Sequence, residues 1–142
     1  MDPISVTASI IAVIQISGSV VSICYSYRNA VKGAAEEAAK ITDEVKSLQD
    51  VLDRLLKIAE REVARGSTRL QALQAVAEPD GALSQCQAEL SALQIKLEPA
   101  QRARMVWKAI KWPLTEGSVK KAIEGISRLK ATLTLAMVTD QT

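Results

Sequence analysis

The sequence predicts an all-α protein: an up-and-down bundle of four long helices plus one or two short ones, with a central, apolar N-terminal helix. Three observations predict it. Apolar residues recur at spacings of three and four over several long stretches. Pro, Gly and Thr stand where those stretches would start or stop, with short connections between them. No strand or hairpin signal is convincing anywhere along the chain. Composition agrees. A chain of 142 residues suits one domain over 1–142, and 48% hydrophobic with 24% charged residues is enough to bury a core. With two Trp, two Tyr and no Phe, that core is expected to be aliphatic.

The first helix opens on Asp2-Pro3, an acidic N-cap followed by Pro at the first helical position. It is expected to run to about Lys32 and to stop at Gly33. Residues 3–27, PISVTASIIAVIQISGSVVSICYSY, carry no charge. High β-branched content weakens helix propensity, so a buried parallel strand competes, but strands rarely exceed about ten residues. Around the helix, Ser5, Ser9, Ala12, Gln15, Ser19, Ser22 and Ser26 form a small, polar stripe. Val6, Ile10, Val13, Val20 and Cys24 follow a second line, and Ile4, Ile11, Ile14, Val21 and Tyr25 a third. Small residues at spacing four, Ala8/Ala12 and Gly18/Ser22/Ser26, would let a neighbouring helix approach closely.

A second helix is predicted over 34–65, with Ala38, Ile41, Val45, Leu48, Leu52, Leu55 and Ala59 inward. Glu36/Lys40, Asp50/Arg54 and Asp53/Lys57 form acid-to-base pairs at i,i+4 on its outer faces. Gly66 ends it, and Ser67 caps a short helix over about 68–77. Glu78-Pro79-Asp80-Gly81 reads as a turn. The next helix, about 81–97, carries Leu83, Cys86, Leu90, Leu93 and Leu97. Pro99 starts or kinks a helix over about 99–111, with Ala103, Val106, Trp107 and Ile110 inward. Pro113 breaks the chain after Trp112, and Thr115 caps a last helix to about 138. Its stripe is Val119, Ala122, Ile123, Ile126, Leu129, Leu133 and Ala136.

Several chemistries lack their parts. There is no His, hence no His base, no His metal ligand and no His-activated nucleophile. Two Cys cannot make a zinc site alone. Each lies within an apolar pattern, which fits a buried, reduced thiol; redox and lipidation roles are the alternatives. No Gly-rich phosphate loop or nucleophile elbow appears. The chain is expected not to be an enzyme and to need no metal or cofactor. Asp2 stands where a signal peptide would be positive, so synthesis in the cytoplasm is expected.

The net charge of +2 is unevenly spread. Between 96 and 130, Lys96, Arg102, Arg104, Lys108, Lys111, Lys120, Lys121, Arg128 and Lys130 outnumber Glu98, Glu116 and Glu124. This surface is either a plain solvated face or an attraction for anionic lipid headgroups or a protein. Nucleic acid is not expected as a partner, because stacking aromatics are nearly missing.

The first helix leaves two readings open. About 20 helical residues cross a bilayer core, so 3–27 is long enough to span one. Its Ser/Gln stripe and the complementary apolar stripes downstream argue against a constitutive span and for burial at rest. If the helix is released, Ile10, Ile11, Val13, Ile14, Val20 and Val21 are the membrane-contact candidates. Arg28 and Lys32 would then stay cytoplasmic, with Lys108, Lys111, Lys120 and Lys121 on headgroups. In the other reading the helix stays buried and the bundle binds only proteins.

Two segments carry a family resemblance: the opening MDPISVTASIIAVIQISGSVVS and the closing KWPLTEGSVKKAIEGISRLKATLTLAMVTDQT. Both resemble the ends of the fungal N-terminal domain of STAND or NLR-like proteins, of the HeLo and HeLo-like group. The Asp-Pro start with its Ser/Val/Ile run, and the Trp-Pro turn before a Ser-Arg-Leu-Lys helix, are distinctive together. The resemblance implies a helical bundle at the N-terminus of a longer multidomain protein. It implies self-association on a signal from neighbouring signalling domains, movement from cytoplasm to plasma membrane through the N-terminal helix, and regulated cell death of heterokaryon-incompatibility or immune type.

Overall fold

The computed structural model describes residues 3–31, 33–65, 71–98 and 111–141. Among these it is all-α, with helices α1 (Pro3–Ala30), α2 (Ala35–Arg65), α3 (Gln71–Val76), α4 (Ala82–Leu97) and α5 (Glu116–Gln141). The predicted helix over 99–111, with Ala103, Val106, Trp107 and Ile110, falls almost wholly outside the described residues, as do the Asp2 cap, Gly66 and Ser67.

Local chemistry sets the helix ends. Gly33 takes φ +86°, the left-handed conformation that closes α1, while the Val31 amide still donates to Tyr27 O at 2.9 Å. In the turn before α4, a Cβ on Gly81 would lie 2.5 Å from Ala75 O and 2.6 Å from Val76 O. Only glycine fits that approach. Thr115 Oγ1 accepts the Ser118 amide at 3.0 Å, an N-cap bond that starts α5 after the Pro113 break.

The core follows the predicted stripes. In α2 every expected inward residue from Ala38 to Ala59 is buried, with Thr42, Val51 and Ile58 widening the face. α4 buries Leu83, Cys86, Leu90, Leu93 and Leu97. α5 buries Val119, Ile126, Leu129, Leu133, Ala136 and Met137, while Ala122 and Ile123 are half-buried. The core is mainly aliphatic, but not wholly so: Tyr27 is fully buried. Its ring meets Trp112 edge-on at 5.1 Å and 86°.

The long helices occupy the corners of a square. α1 packs on α2 and α4, and α5 packs on α2 and α4. Leu97 at the end of α4 meets Tyr27 near the end of α1, and Trp112, just before α5, sits at the same base. Directions of the long helices therefore alternate along the chain, down, up, down, up. The neighbours α1/α4 and α2/α5 are parallel, and α2 and α4, successive among the long helices, stand at opposite corners. A square has no enclosed position, so α1 keeps one flank open to solvent.

Candidate functional site

The inward line of α1 is a heptad-like seam: Val6, Ile10, Val13, Ser17, Val20, Cys24 and Tyr27, all buried. Sequence periodicity identified this line but skipped Ser17, which is polar, and Tyr27. Ser17 Oγ donates to Ile14 O of its own helix at 2.7 Å and forms no bond across the seam. Opposite, buried Thr42 Oγ1 likewise donates within its own helix, to Ala38 O at 2.8 Å. At the base of the seam the Tyr27 hydroxyl donates to Leu97 O at 2.5 Å. Burial, and the nearby Cys24, push the Tyr27 hydroxyl above its ordinary pKa.

Among the described residues, α1 is the one helix long and apolar enough to cross a membrane, and 33% of its most apolar stretch is buried within the fold. Its outer flank changes character along its length. Ile4 (68% exposed), Ala8 and Ile11 (40% exposed) make the N-terminal half apolar. Gln15, Ser19, Ser22, Arg28 and Asn29 make the C-terminal half polar. Tyr25 lies on this side between two cations, Arg28 at 5.5 Å and Lys46 at 4.9 Å from its ring, and its hydroxyl also accepts from the Lys46 ammonium.

The Gly18/Ser22/Ser26 stripe departs from expectation. A Cβ on Gly18 would find its nearest atom, Gln49 Nε2, at 3.8 Å, which is ordinary contact. These small residues instead line an open groove of ≈ 560 Å³ shared with Gln94 of α4 and Glu98 just past its end. At Gly125 of α5 an added Cβ would come 2.8 Å from Glu89 Oε1 of α4, the movable tip of a side chain.

Of the membrane-contact candidates, Ile10, Val13, Val20 and Val21 are buried, Ile14 is half-buried and Ile11 is exposed. Of the headgroup candidates, Lys111, Lys120 and Lys121 are exposed, and Lys108 lies outside the described residues. Lys130 of the basic stretch is committed within the fold, 3.1 Å from Glu44 and 3.0 Å from Ser47, tying α5 to α2. The exposed lysines cluster near the base, where α5 starts beside Tyr27. Ile4 and Ile11 sit at the other end of α1. From Ile11 to Tyr27 the helix rises roughly 24 Å. The resting bundle thus sets Ile4 and Ile11, exposed on α1, apart from the exposed lysines.

Neither thiol is a nucleophile at neutral pH. Cys24 and Cys86 are free and buried. Burial pushes their pKa from 9.0 up to about 11 and about 12, with a Thr42 hydrogen bond partly offsetting the rise at Cys24 and nearby Glu89 adding to it at Cys86. Among the described residues no three Cys, Asp or Glu side chains gather into a metal-binding group. What the arrangement offers is mechanical: a long helix uncharged over 3–27, seated along one face, with an apolar outer end. Comparison with models of known families, with curated proteins and with solved structures finds no match for this chain.

Proposed function

We propose that this chain is an effector or signalling domain of the HeLo-like kind, the N-terminal unit of a fungal NLR-like protein. It rests in the cytoplasm, self-associates when neighbouring domains signal, and reaches the plasma membrane through α1 to trigger regulated cell death. The role is non-enzymatic. The observation that carries the reading is α1 itself, uncharged over 3–27 yet exposing Ile4 and Ile11 in the resting fold. With exposed Ala8 between them they form an apolar strip on the open flank of α1, a surface that an apolar partner such as lipid can cover. The resemblance of both chain ends to HeLo-like domains points the same way. Lys111, Lys120 and Lys121 are exposed and can meet anionic headgroups once α1 is released.

The exposed positions supply a test that leaves the core intact. Dye release from phosphatidylserine-containing vesicles is compared for the wild type and an Ile4→Glu/Ile11→Glu double variant, with folding checked by circular dichroism. The expected result is release by the wild type and its loss in a folded double variant. Equal release, or none from the wild type, overturns the membrane role.

A second reading is a protein-binding bundle without membrane activity. Ile95, Leu135 and Val138 favour it, because they are exposed on α4 and α5 rather than α1. It expects no vesicle release and loss of self-association on Leu135→Glu/Val138→Glu.

A further inference from the structure

We propose that the cleft between α4 and the start of α5 binds a phosphate monoester, with the phosphate on Lys96, Lys121 and Ser118. Register creates the cleft. A Cβ on Gly125 would lie 2.8 Å from Glu89 Oε1, so these two residues face each other across the antiparallel pair. Residues three, four and seven apart share one face of a helix. Stepping forward along α4 and back along α5 therefore sets Ala92 opposite Ala122, Leu93 opposite Lys121 and Lys96 opposite Ser118. Two facing alanines cannot fill the space between the helices. A cleft of ≈ 330 Å³ opens there, lined by these three pairs, with Leu114 and Glu89 completing its wall. That volume lies within the range of small-molecule sites, at its lower end.

The donors converge at one end of the cleft. Lys96 and Ser118 share the level nearest the base, and Lys121 stands about one turn along α5. Neither ammonium is taken up by an ion pair or hydrogen bond among the described residues. Lys130, farther along α5, is by contrast committed to Glu44. Ser118 Oγ accepts from Thr115 Oγ1 at 2.9 Å, which leaves its own proton to donate into the cleft. Two ammonium groups and a hydroxyl match a phosphate monoester, which carries about −2 at neutral pH, whereas a carboxylate balances only one lysine. Glu89 closes the other end, roughly 10 Å from Lys96 along α4, and repels a second anion there. Between the two ends Leu93, Leu114, Ala92 and Ala122 present apolar surface. The ester's substituent is therefore short, apolar and uncharged. A soluble ester and the headgroup of phosphatidic acid share this chemistry. The site needs no release of α1, so it stands apart from the membrane role.

Titration calorimetry of the whole protein with hexyl phosphate, inorganic phosphate and hexanoate tests the site. Hexyl phosphate should bind at least about tenfold tighter than either of the others. Lys96→Gln and Lys121→Gln should each weaken it about tenfold, because each removes a charge-assisted bond. Both side chains are exposed, so the fold is kept, and circular dichroism checks this. Ala92→Leu fills the apolar part and should bring hexyl phosphate down to the affinity of inorganic phosphate. Glu89→Gln should tighten both phosphates. Absence of saturable hexyl phosphate binding, or binding that survives Lys96→Gln/Lys121→Gln in a folded variant, overturns the site. An equal loss in Lys120→Gln, which is exposed but does not line the cleft, also overturns it. Cosedimentation with phosphatidylcholine vesicles containing phosphatidic acid identifies the source. Cosedimentation that hexyl phosphate competes away supports the site with a lipid headgroup in it. Calorimetric binding without cosedimentation supports it with a soluble ester.

Discussion

Tyr27 and Leu97, 70 positions apart, are joined by a 2.5 Å hydrogen bond from a phenol hydroxyl to a main-chain carbonyl. The carbonyl belongs to the last turn of α4, which has no intrahelical amide to satisfy it. One side chain of α1 thereby completes another helix and sets where that helix ends relative to its own.

Tyr27→Phe keeps the ring against Trp112 and removes only the hydroxyl. The Leu97 carbonyl, buried at this join, then loses its partner. The expected loss is about 1–2 kcal/mol, read from the urea unfolding midpoint. A change within error would show that water replaces the hydroxyl freely.

Ile10 and Ile11 are neighbours in sequence and opposites in the fold, one fully buried and the other 40% exposed. Ile10→Glu places a carboxylate in the seam and should cost about 4 kcal/mol or more, enough to unfold most of the chain. Ile11→Glu should change stability by less than about 1 kcal/mol. Circular dichroism with urea titration measures both, and equal effects would mean that the seam is misplaced.

Gly81 and Gly33 are required for different reasons. Gly81→Ala meets backbone carbonyls at 2.5 and 2.6 Å that cannot swing aside, and should cost about 2 kcal/mol or more. Gly33→Ala meets nothing within 4 Å but must hold φ +86°, a conformational penalty of about 1 kcal/mol. Thermal unfolding should rank Gly81→Ala as the more damaging.

The two thiols make stability pH-dependent on the alkaline side. Above about pH 9 a thiol in the unfolded chain ionises, whereas Cys24 and Cys86 keep their protons up to about 11 and about 12. The folded state then binds more protons, so stability falls as pH rises. Their contribution is fully present below pH 9 and is lost progressively above it. Urea midpoints at about pH 8 and about pH 10.5 should diverge less in Cys24→Ala/Cys86→Ala than in the wild type. The native thiols should also resist alkylation at about pH 8 until urea is added.

Where a residue acts on its own neighbours, the sequence was readable. Gly33, Pro113 and Thr115 mark helix ends by conformations and bonds that need no tertiary partner. α2 was equally plain, because its charged residues leave one apolar stripe to bury. α1 was harder for the opposite reason. With apolar residues on most sides, its periodicity could not say that Ile10 faces inward and Ile11 outward. Ser17 interrupts an otherwise aliphatic line, so nothing in its identity marks a fully buried position. The Gly18 stripe suggested a close approach that the structure does not make there, since the partner helix and its register decide which small residues are pressed and which line a groove. Tyr27, at 4-3 spacing from Val20 and Cys24, could have been added to the seam by extending that spacing.

The square in which α2 and α4 stand at opposite corners also bears on how the chain assembles. α1–α2 and α4–α5 are antiparallel pairs, and each can form as a hairpin from nearby residues. The other two interfaces, α1–α4 and α2–α5, join segments far apart in the chain. Closing them requires two preformed hairpins to meet side by side, at a loop-closure cost that a simple meander of helices avoids. This connectivity predicts assembly by docking of two hairpins, with folding rates that respond most to residues on those two parallel interfaces.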